Sequence, residues 1–471
     1  MYDAAIIGGG PAGSTVGRLL AAWGHSVIIL AAPPSSRPGL AECLPPSTGK
    51  LFDFLGIRQA IDTAAFLRTT GNTVWWGSKR RVENYPEREG YQVPRADLDA
   101  VLLYLASEAR AQVEPGKAFN ASSRLEFQSG ARRRTIRARF ILDCSGRAGV
   151  FARAFRLKET KSRTIALCGV WRNETGWRIP DPTHTLIEAY ADGWAWSVPI
   201  SAGVRHVAFM VDPGETKMLR GAGLAAAYQA ELAKTRAFRR IFSRGKIDRE
   251  PWGRDASLYS SRRYAGPGLL LVGDAASFID PLSSFGVKKA MASAWVAAVA
   301  VNTCLVQPDL QAAALQFFND RESRVYSHYR HQASNWFRAA GSNAETFWTH
   351  RSVIEEPESI EHVDIRQAFE ALKRKSRIDL RVADGIRLEP SPVIEGRLIT
   401  LRDALVTPDS SERFDFFQNV DLPRLARLAS SYKQVPDLFG AYNRTNTPVS
   451  LPSFLSALSM LIARRILIDQ L

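Results

Sequence analysis

The chain has few cysteines and no secretory signal. Only four cysteines occur among 471 residues, and none of them forms a C-x-x-C pair. Scattered thiols of this kind are typical of a reducing compartment and argue against a disulfide scaffold or a zinc site. The sequence starts directly with an apolar strand pattern and shows no basic stretch followed by a cleavage site. We therefore expect a cytoplasmic protein without a bound metal.

The sequence also lacks a membrane span and a nucleic-acid-binding motif. Its longest apolar run, residues 290–306, is interrupted by Asn302 and Thr303 and is too short to cross a bilayer. The formal net charge is nevertheless +15, with basic residues dispersed in short clusters such as residues 132–134 and 239–240. Such clusters are most simply solvated faces. Because a basic surface favours acidic partners, an acidic polypeptide is a plausible partner, and we expect neither nucleic acid nor a transmembrane segment.

The first thirty residues follow a strand–turn–helix–strand pattern. Residues 2–7 and 26–30 have strand-like apolar runs, on either side of a helix pattern over residues 12–23. The turn carries G-x-G-x-x-G, in which the first glycine permits a tight turn and the second lets the backbone approach a pyrophosphate. The third allows close packing of helix on strand. The pattern predicts a dinucleotide site formed by Gly8, Gly10, Ala12 and Gly13.

One residue that usually accompanies this dinucleotide-binding pattern is missing. The second strand ends in Leu30-Ala31-Ala32-Pro33, without the acid that usually binds the adenosine ribose. The next carboxylate along the chain is Glu42. Either ribose recognition is weaker here, or Glu42 supplies it from the following loop.

A second loop of the same kind lies in the middle of the chain. A buried-strand pattern at residues 269–272 stops at Gly273 and Asp274, and a Pro/Ser/Gly loop with Pro281 leads to a small-residue helix opening at Gly286-Val287. A helix N-terminus behind such a loop presents free backbone N–H groups and a positive dipole end. This arrangement suits an anion or a polarised ring.

Changes of pattern along the chain predict an α/β protein of three domains. Helix patterns cover residues 95–112, 310–347, 360–375 and 451–467, and strand-like alternation dominates residues 162–260. The expected domains are a discontinuous cofactor-binding domain (residues 1–70, 95–160 and 262–350), a sheet-based substrate domain (71–94 and 161–261) and a small helical or winged-helix-like C-terminal domain (351–471).

With these motifs in order, the chain resembles the flavoprotein monooxygenases of the p-hydroxybenzoate hydroxylase fold. It is most similar to their branch of flavin-dependent halogenases and geranylgeranyl-reductase-like proteins. The matching segments are residues 8–13, 143–147, 193–199, 273–276 and 280–286.

The resemblance covers residues 1–350 and implies a Rossmann-like FAD-binding domain and a β-sheet substrate domain; the small, mainly helical C-terminal domain expected from the sequence pattern lies outside it. It places Asp274 on the ribityl chain, Arg95 along the FAD, and the N–H groups of Gly286 and Val287 against the isoalloxazine ring. The FAD-binding residues that it implies are Gly8, Gly10, Ala12, Gly13, Glu42, Arg95, Gly146, Asp274, Pro281, Gly286 and Val287.

The halogenases carry a lysine near the substrate that is thought to capture hypohalous acid. The corresponding region, residues 65–70, contains Arg68 and no lysine. Arginine keeps its proton and cannot serve as that amine nucleophile, which argues against halogenation. The W-x-W segment at Trp194 and Trp196 is similar to a halogenase motif, but two rings on one face of a strand are equally explained by core packing.

A narrower resemblance involves residues 42–47 and 273–294. They look like the flavoproteins that hydroxylate a protein-bound tryptophan during maturation of the tryptophylquinone cofactor of quinohemoprotein amine dehydrogenase. The resemblance implies an FAD-dependent monooxygenase that uses NAD(P)H and O₂ to hydroxylate an electron-rich ring, with a polypeptide as substrate. Trp76 and Trp196 are the candidate pocket residues. No catalytic acid or base is assigned, since Glu42, Lys288 and Lys289 are interpreted as solvent-facing or structural.

Three other functions remain open at this point. A flavin-dependent halogenase would require halide-dependent product. A flavin-dependent polyprenyl reductase would require a long apolar tunnel. A non-catalytic flavoprotein-like docking factor would purify without FAD and could not be reconstituted with it. These alternatives stay open because fold alone does not fix function.

Overall fold

The computed structural model describes residues 1–33, 39, 41–77, 79–121, 124–159, 162–214, 216, 223–340, 346–352, 365–408, 412–444 and 448–470. The chain divides into two compact units, Met1–Ile354 and Glu355–Leu471. The four cysteines are all buried free thiols in the first unit.

The first unit contains nine described helices and 22 described strands. Its helices are α1 (Pro11–Ala22), α2 (Pro46–Phe54), α3 (Arg58–Thr63), α4 (Arg95–Glu108), α5 (Gly223–Lys234), α6 (Ala237–Phe242), α7 (Gly286–Val306), α8 (Gln311–Ala340) and α9 (Thr346–Ser352). Its strands are β1 (Tyr2–Ile7), β2 (Val27–Ala31), β3 (Ala41–Leu44), β4 (Leu67–Thr69), β5 (Gly71–Trp76), β6 (Lys79–Asn84), β7 (Gly90–Pro94), β8 (Gln112–Pro115), β9 (Lys117–Ala121), β10 (Arg124–Ser129), β11 (Arg132–Ile136), β12 (Ala138–Asp143), β13 (Arg156–Lys158), β14 (Ile165–Arg172), β15 (Thr185–Tyr190), β16 (Gly193–Pro199), β17 (Val204–Val211), β18 (Lys246–Ile247), β19 (Trp252–Asp255), β20 (Tyr259–Ser261), β21 (Ala265–Gly266) and β22 (Leu269–Leu271).

A six-stranded sheet in the order β21-β22-β12-β1-β2-β8 forms the base of the first unit. All neighbouring pairs are parallel except β21–β22. β1 and β2 read as apolar runs because the sheet is covered on both faces. Since β1, β12 and β22 are parallel neighbours, their carboxyl ends lie at one edge of the sheet.

The helix next to that edge is the apolar α7. It has the length and hydropathy of a membrane span, but 78% of its most apolar 18-residue window is buried within the protein. It packs against α1 and α8. The prediction of a packed helix at residues 290–306 is therefore confirmed, and the helix begins at Gly286.

An eight-stranded sheet, built from β5, β6 and β14–β19, forms the second layer of structure in this unit. Its strands alternate between two apolar clusters, one on each face. Val74 and Trp76 of β5 belong to the first cluster, while Trp75 between them packs against the second. We call the first the substrate-side face, because Phe278 and Leu282 of the loop before α7 pack against it.

Two predicted helix ends differ from the structure. The helix that starts at Arg95 ends at Glu108 and not at residue 112, because Arg110 has a left-handed backbone (φ 71°) that the helix cannot continue through. The last helix of the chain ends at Ala463 and not at residue 467. Arg465 (φ 54°) reverses the chain there.

The second unit combines helices with short strands. Its core contains Phe454 and Leu458 of the last helix, and residues 387–395 and 398–406 form a long hairpin. Predicted helical residues 341–345 and 360–364 lie outside the described part of the chain. The elements are α10 (Ile365–Lys373), α11 (Leu422–Ala429), α12 (Val435–Arg444), α13 (Leu451–Ala463), β23 (Leu380–Val382), β24 (Arg387–Glu395), β25 (Leu398–Val406), β26 (Arg413–Phe414), β27 (Phe416–Phe417), β28 (Val420–Asp421) and β29 (Leu467–Asp469).

Candidate functional site

Three glycine turns meet at the carboxyl edge of the parallel sheet. Ile7 of β1 is in register with Asp143 of β12, and Asp143 is in register with Leu271 of β22. The turns that follow these strands carry Gly8, Gly146 and Gly273. Segments far apart in the sequence thus form one site, at the place where open parallel sheets bind ligands.

The two outer glycines of the first turn are required by space. A Cβ on Gly8 would lie 2.6 Å from the carbonyl oxygen of Cys144, and its φ of 102° already disfavours other residues. A Cβ on Gly13 would lie 1.9 Å from the carbonyl oxygen of Gly8. Gly10 differs, since its nearest neighbours, the side chains of Arg95 and Asp99, would be 3.8 Å away. Gly10 therefore leaves open the space that a pyrophosphate needs.

Charged groups surround the open side of this turn. Arg95, the first residue of α4, contacts Glu42 (Nη1–Oε1 3.2 Å) and Asp99 (Nε–Oδ1 3.2 Å). Burial raises the pKa of Glu42; Arg95 only partly offsets this effect, and the nearby Asp274 and Asp99 carboxylates raise the pKa further. Burial alone would lower the pKa of Arg95, but Asp99 and Glu42 together raise it. Glu42 lies on β3 and so brings a carboxylate towards Gly10, although β2 ends without one.

Asp274 occupies the turn after β22. Its Oδ1 is buried without a hydrogen-bond partner, 3.8 Å from Nζ of the buried Lys289. The Lys289 ammonium donates to the carbonyl oxygens of Gly273 (3.1 Å) and Ser277 (2.5 Å), and the Tyr259 hydroxyl donates to the carbonyl of Asp274 (2.5 Å). The turn is held from both sides, while the Asp274 side chain as a whole stays 30% exposed, as binding of a ribityl hydroxyl would require.

The loop before α7 leaves a helix start uncapped. Pro281 opens a short turn in which Asp280 accepts from the N–H of Leu282 (3.0 Å). Phe285, at the N-cap of α7, makes no side-chain cap, and nothing lies within 4 Å of a Cβ built on Gly286. The first N–H groups of a helix have no partner within it, so those of Gly286 and Val287 can bind an electron-rich group.

Gly146 completes this edge of the sheet. Its φ is 61°, and no atom lies within 4 Å of a Cβ built on it. The fully buried Asp143 fixes the turn by accepting from the N–H groups of Phe151 (2.7 Å) and Ala152 (2.8 Å). The open backbone at Gly10, Gly146 and Gly286, with the partly exposed carboxylate of Asp274, fits an elongated dinucleotide such as FAD.

On the substrate-side face, strand register sets two indoles on opposite sides of small residues. Trp252 pairs with Cys168, Cys168 with Ala208, and Ala208 with Trp196, so the four side chains form one row across β19, β14, β17 and β16. At about 4.8 Å per strand, the two tryptophans are about 14 Å apart. Both indole Nε1 atoms are buried without a hydrogen-bond partner. We call this row the indole trough.

Other residues predicted near the substrate are already engaged. The Trp76 indole donates to the carbonyl of Trp336 (2.9 Å) and contacts the Trp348 ring edge-on. Arg68 donates to Asp62 (2.7 Å), with its guanidinium 4.2 Å from the centre of the Tyr91 ring. Of the two candidate pocket residues, Trp196 therefore keeps a free donor and Trp76 does not.

The FAD binding domain family model matches residues 1–305. The chain belongs to the FAD binding domain family. This assignment agrees with the glycine turns and confirms the mixed α/β, FAD-binding fold expected from the sequence.

Several relatives of this FAD-binding protein are halogenases. The tryptophan 2-halogenase of Chondromyces crocatus is 28% identical over 372 residues, which cover 74% of this chain and 70% of that protein. The solved structure of CmlS, a flavin-dependent halogenase, matches with a TM-score of 0.80 at 22% identity and covers 99% of this chain and 96% of CmlS.

Another similar solved structure is that of an enzyme named for a different activity. The peptidyl tryptophan dihydroxylase QhpG, essential for tryptophylquinone cofactor biogenesis, matches with a TM-score of 0.73 at 20% identity and covers 98% of this chain and 99% of QhpG. Together the comparisons identify an FAD-binding protein that is similar in sequence to halogenases and similar in fold to a halogenase and a hydroxylase. Its reaction is the subject of the proposal below.

Trp252 of this site was missed by sequence reasoning, and Lys289 was left between a structural and a solvent-facing position. Trp252 lies in a strand only four residues long, and its place opposite Cys168 depends on long-range pairing. Lys289 was interpreted as structural or solvent-facing; its amine is buried beneath the Asp274 turn. For Lys289, the sequence signal was a lysine near the start of an apolar helix. An ammonium buried there must have hydrogen-bond partners.

Proposed function

We propose that the chain is an FAD-dependent monooxygenase that uses NAD(P)H and O₂ to hydroxylate an electron-rich aromatic ring, a tryptophan side chain of a polypeptide in tryptophylquinone cofactor biogenesis. The observation that carries the proposal is the indole trough beside the flavin-side loop. Its floor is formed by the small side chains of Ala208 and Cys168, within the buried apolar cluster of the substrate-side face. The indole N–H groups at its two sides can bind oxygen atoms of a substrate.

The state of Arg68 separates this proposal from halogenation. A halogenase needs an amine near the substrate, and Arg68 stands in the region where the family has it. Its guanidinium is occupied by Asp62 and Tyr91 and keeps its proton in any case. The buried amine nearest to the flavin turns, Lys289, is taken up by two carbonyl oxygens. Neither group supplies a free amine at the trough.

Bound FAD, reduced by NAD(P)H, supplies the activation of O₂. The residues of the chain bind and orient the reactants. Asp274 would accept from the ribityl chain, Arg95 and Glu42 would hold the adenosine side, and the N–H groups of Gly286 and Val287 would stabilise negative charge on the flavin ring. The apolar cover of the substrate-side face excludes water from the reacting ring.

A polypeptide substrate is supported by two observations. The solved structure named as a peptidyl tryptophan dihydroxylase matches nearly the whole chain, including the C-terminal unit. The net charge of +15 suits an acidic partner. Both point to a substrate that is held by more surface than a free amino acid could contact. A cytoplasmic location remains part of this proposal.

A flavin-dependent halogenase is the second candidate. It is favoured by sequence, because the relative at 28% identity is a tryptophan 2-halogenase. In such an enzyme a separate reductase could provide reduced flavin, and NAD(P)H would not act on this chain directly.

One experiment distinguishes the candidates. The chain is co-expressed with acidic polypeptides encoded near its gene, and the peptides are analysed by mass spectrometry with and without added bromide. Addition of one or two oxygen atoms to a tryptophan, lost in Asp274→Ala, supports the hydroxylase. Bromide-dependent substitution supports the halogenase. An unmodified partner beside fully FAD-loaded enzyme rules out the peptide substrate.

A further inference from the structure

A surface cavity of about 360 Å³ lies on the other face of the eight-stranded sheet. Its lining includes Arg80, Arg178 and Arg240, with Trp75 and Ile179 among the apolar residues. Trp75 packs against the apolar cluster opposite to the substrate-side face. The cavity is thus separated from the indole trough by the sheet itself, and the flavin reaction does not use it.

Three arginines line this cavity, and their guanidinium groups are not ion-paired within the described residues. Within the described part of the chain, none of the three arginines makes an ion pair or a side-chain hydrogen bond. Arg80 is directly opposite Trp75 in the register of β6 and β5. Arg178 precedes the segment Ile179-Pro180, and Arg240 lies in α6. Three like charges around one concavity create a strong field for an anion.

The acidic groups beside the cavity are committed elsewhere. Glu188, opposite Trp75 on β15, accepts from the N–H groups of Arg236 (2.6 Å), Ala237 and Phe238 at the start of α6. Asp181 accepts from the hydroxyls of Thr70 and Thr183. Within the described residues, neither carboxylate forms an ion pair with the three arginines.

We propose that this cavity binds a phosphate monoester carried on a flat or apolar group. A phosphate monoester carries about 1.5 to 2 negative charges at neutral pH, and its oxygens match the fork of the guanidinium group. The Trp75 ring and the apolar side chains of Ile179 and Ile241 offer a surface for the body of the ligand. The volume lies at the lower end of the range for small-ligand sites, about 300 to 1,000 Å³.

The test is calorimetry on the full-length, FAD-loaded protein. Phenyl phosphate represents a free ligand, and a short peptide with one phosphoserine represents a phosphate borne by a polypeptide. Sulfate, benzoate and the unphosphorylated peptide are the matched controls. We expect at least one phosphate probe to bind with one site per chain and to bind at least tenfold more tightly than its control. The tighter of the two probes identifies the source of the phosphate.

The matched variants are R178S/R240S and R132S/R137S. Both remove two positive charges, but Arg132 and Arg137 are exposed in and just after β11, outside the cavity. We expect R178S/R240S to weaken phosphate binding at least tenfold, R132S/R137S to leave it within twofold, and both variants to keep the FAD content and the oxidation activity of the wild type. Equal weakening by both pairs, or benzoate and sulfate binding as tightly as the phosphate probes, overturns the site. FAD content and activity report separately on the proposed hydroxylase.

Discussion

Nζ of Lys289 lies 3.8 Å from Oδ1 of Asp274, and the same ammonium donates to the carbonyl oxygens of Gly273 and Ser277. A residue of α7 therefore holds the turn that offers a carboxylate to the cofactor. The buried ammonium has three oxygen neighbours. An apolar side chain at this position would leave these oxygens without a donor.

Lys289→Met should weaken FAD binding about tenfold and lower the free energy of unfolding of the FAD-free protein by roughly 1–3 kcal/mol. The physical reason is the loss of donors to two buried carbonyl oxygens. FAD titration and denaturant unfolding measure the two effects. Lys288→Met is the matched control, because Lys288 is only partly buried, over the Phe285 ring. Equal effects of the two variants would contradict the positioning role.

Gly10→Ala and Gly13→Ala should fail in different ways. A methyl group on Gly10 has space, so the protein should keep its melting temperature and lose FAD affinity at least tenfold. A methyl group on Gly13 would meet the Gly8 carbonyl oxygen at 1.9 Å, so the FAD-free protein should itself be destabilised. Melting temperatures without FAD, followed by FAD titration, test the contrast. Normal FAD affinity in Gly10→Ala would sink the pyrophosphate assignment.

Asp280→Asn should change how stability depends on pH. Burial raises the pKa of Asp280 from 3.8 to about 6, with a smaller opposing effect from Arg351. The folded state therefore holds this proton more tightly than the unfolded state. The resulting stabilisation is complete below about pH 4 and is lost as the pH rises through 6. Asparagine still accepts from Leu282 and cannot ionise.

Relative to the wild type, Asp280→Asn should gain on the order of 2 kcal/mol in free energy of unfolding between pH 4.5 and 7.5. Denaturant unfolding at the two pH values measures this gain. Other titrating groups, such as His206, whose pKa burial lowers to about 4, are common to both proteins and cancel in the difference. A difference that does not vary with pH would show that Asp280 is ionised throughout.

Trp196→Phe and Trp252→Phe should raise the KM for the substrate several-fold while leaving FAD affinity unchanged. Each removes an unpartnered N–H from the indole trough and keeps most of the ring, so a lost hydrogen bond to substrate is the main effect. Steady-state kinetics gives the measurement. Trp76→Phe is the comparison, since its N–H is used by Trp336; it should reduce stability more than it changes KM. The reverse order of effects would move the substrate away from the trough.

The cofactor side of the site was predictable because its information is local. A strand, a glycine turn and a helix start occur within a few residues at Gly8–Gly13 and again at residues 269–287. The periodicity of each segment indicates its structure, and the sterics at Gly8 and Gly13 explain why those residues are glycines.

The substrate side depends on register between distant strands. Trp196 and Trp252 become two walls of one trough only because Ala208 and Cys168 pair between them, and no local pattern shows this. The surface cavity on the other face of the eight-stranded sheet is likewise lined by residues that are far apart in the sequence. Arg240 belongs to a short basic cluster that was interpreted as a solvated face, and only the fold brings it together with Arg80 and Arg178.

Adjacent residues of β5 lie on opposite faces of the eight-stranded sheet and belong to two different sites. Trp75 lines the surface cavity together with Arg80, Arg178 and Arg240. Trp76, the next residue, packs on the substrate-side face. A single insertion or deletion within this strand would exchange the two faces and damage both sites at once, because strand side chains alternate with a period of two. Recombination or loop grafting in this protein should therefore keep the length of residues 71–76 unchanged, even where it alters the segments on either side.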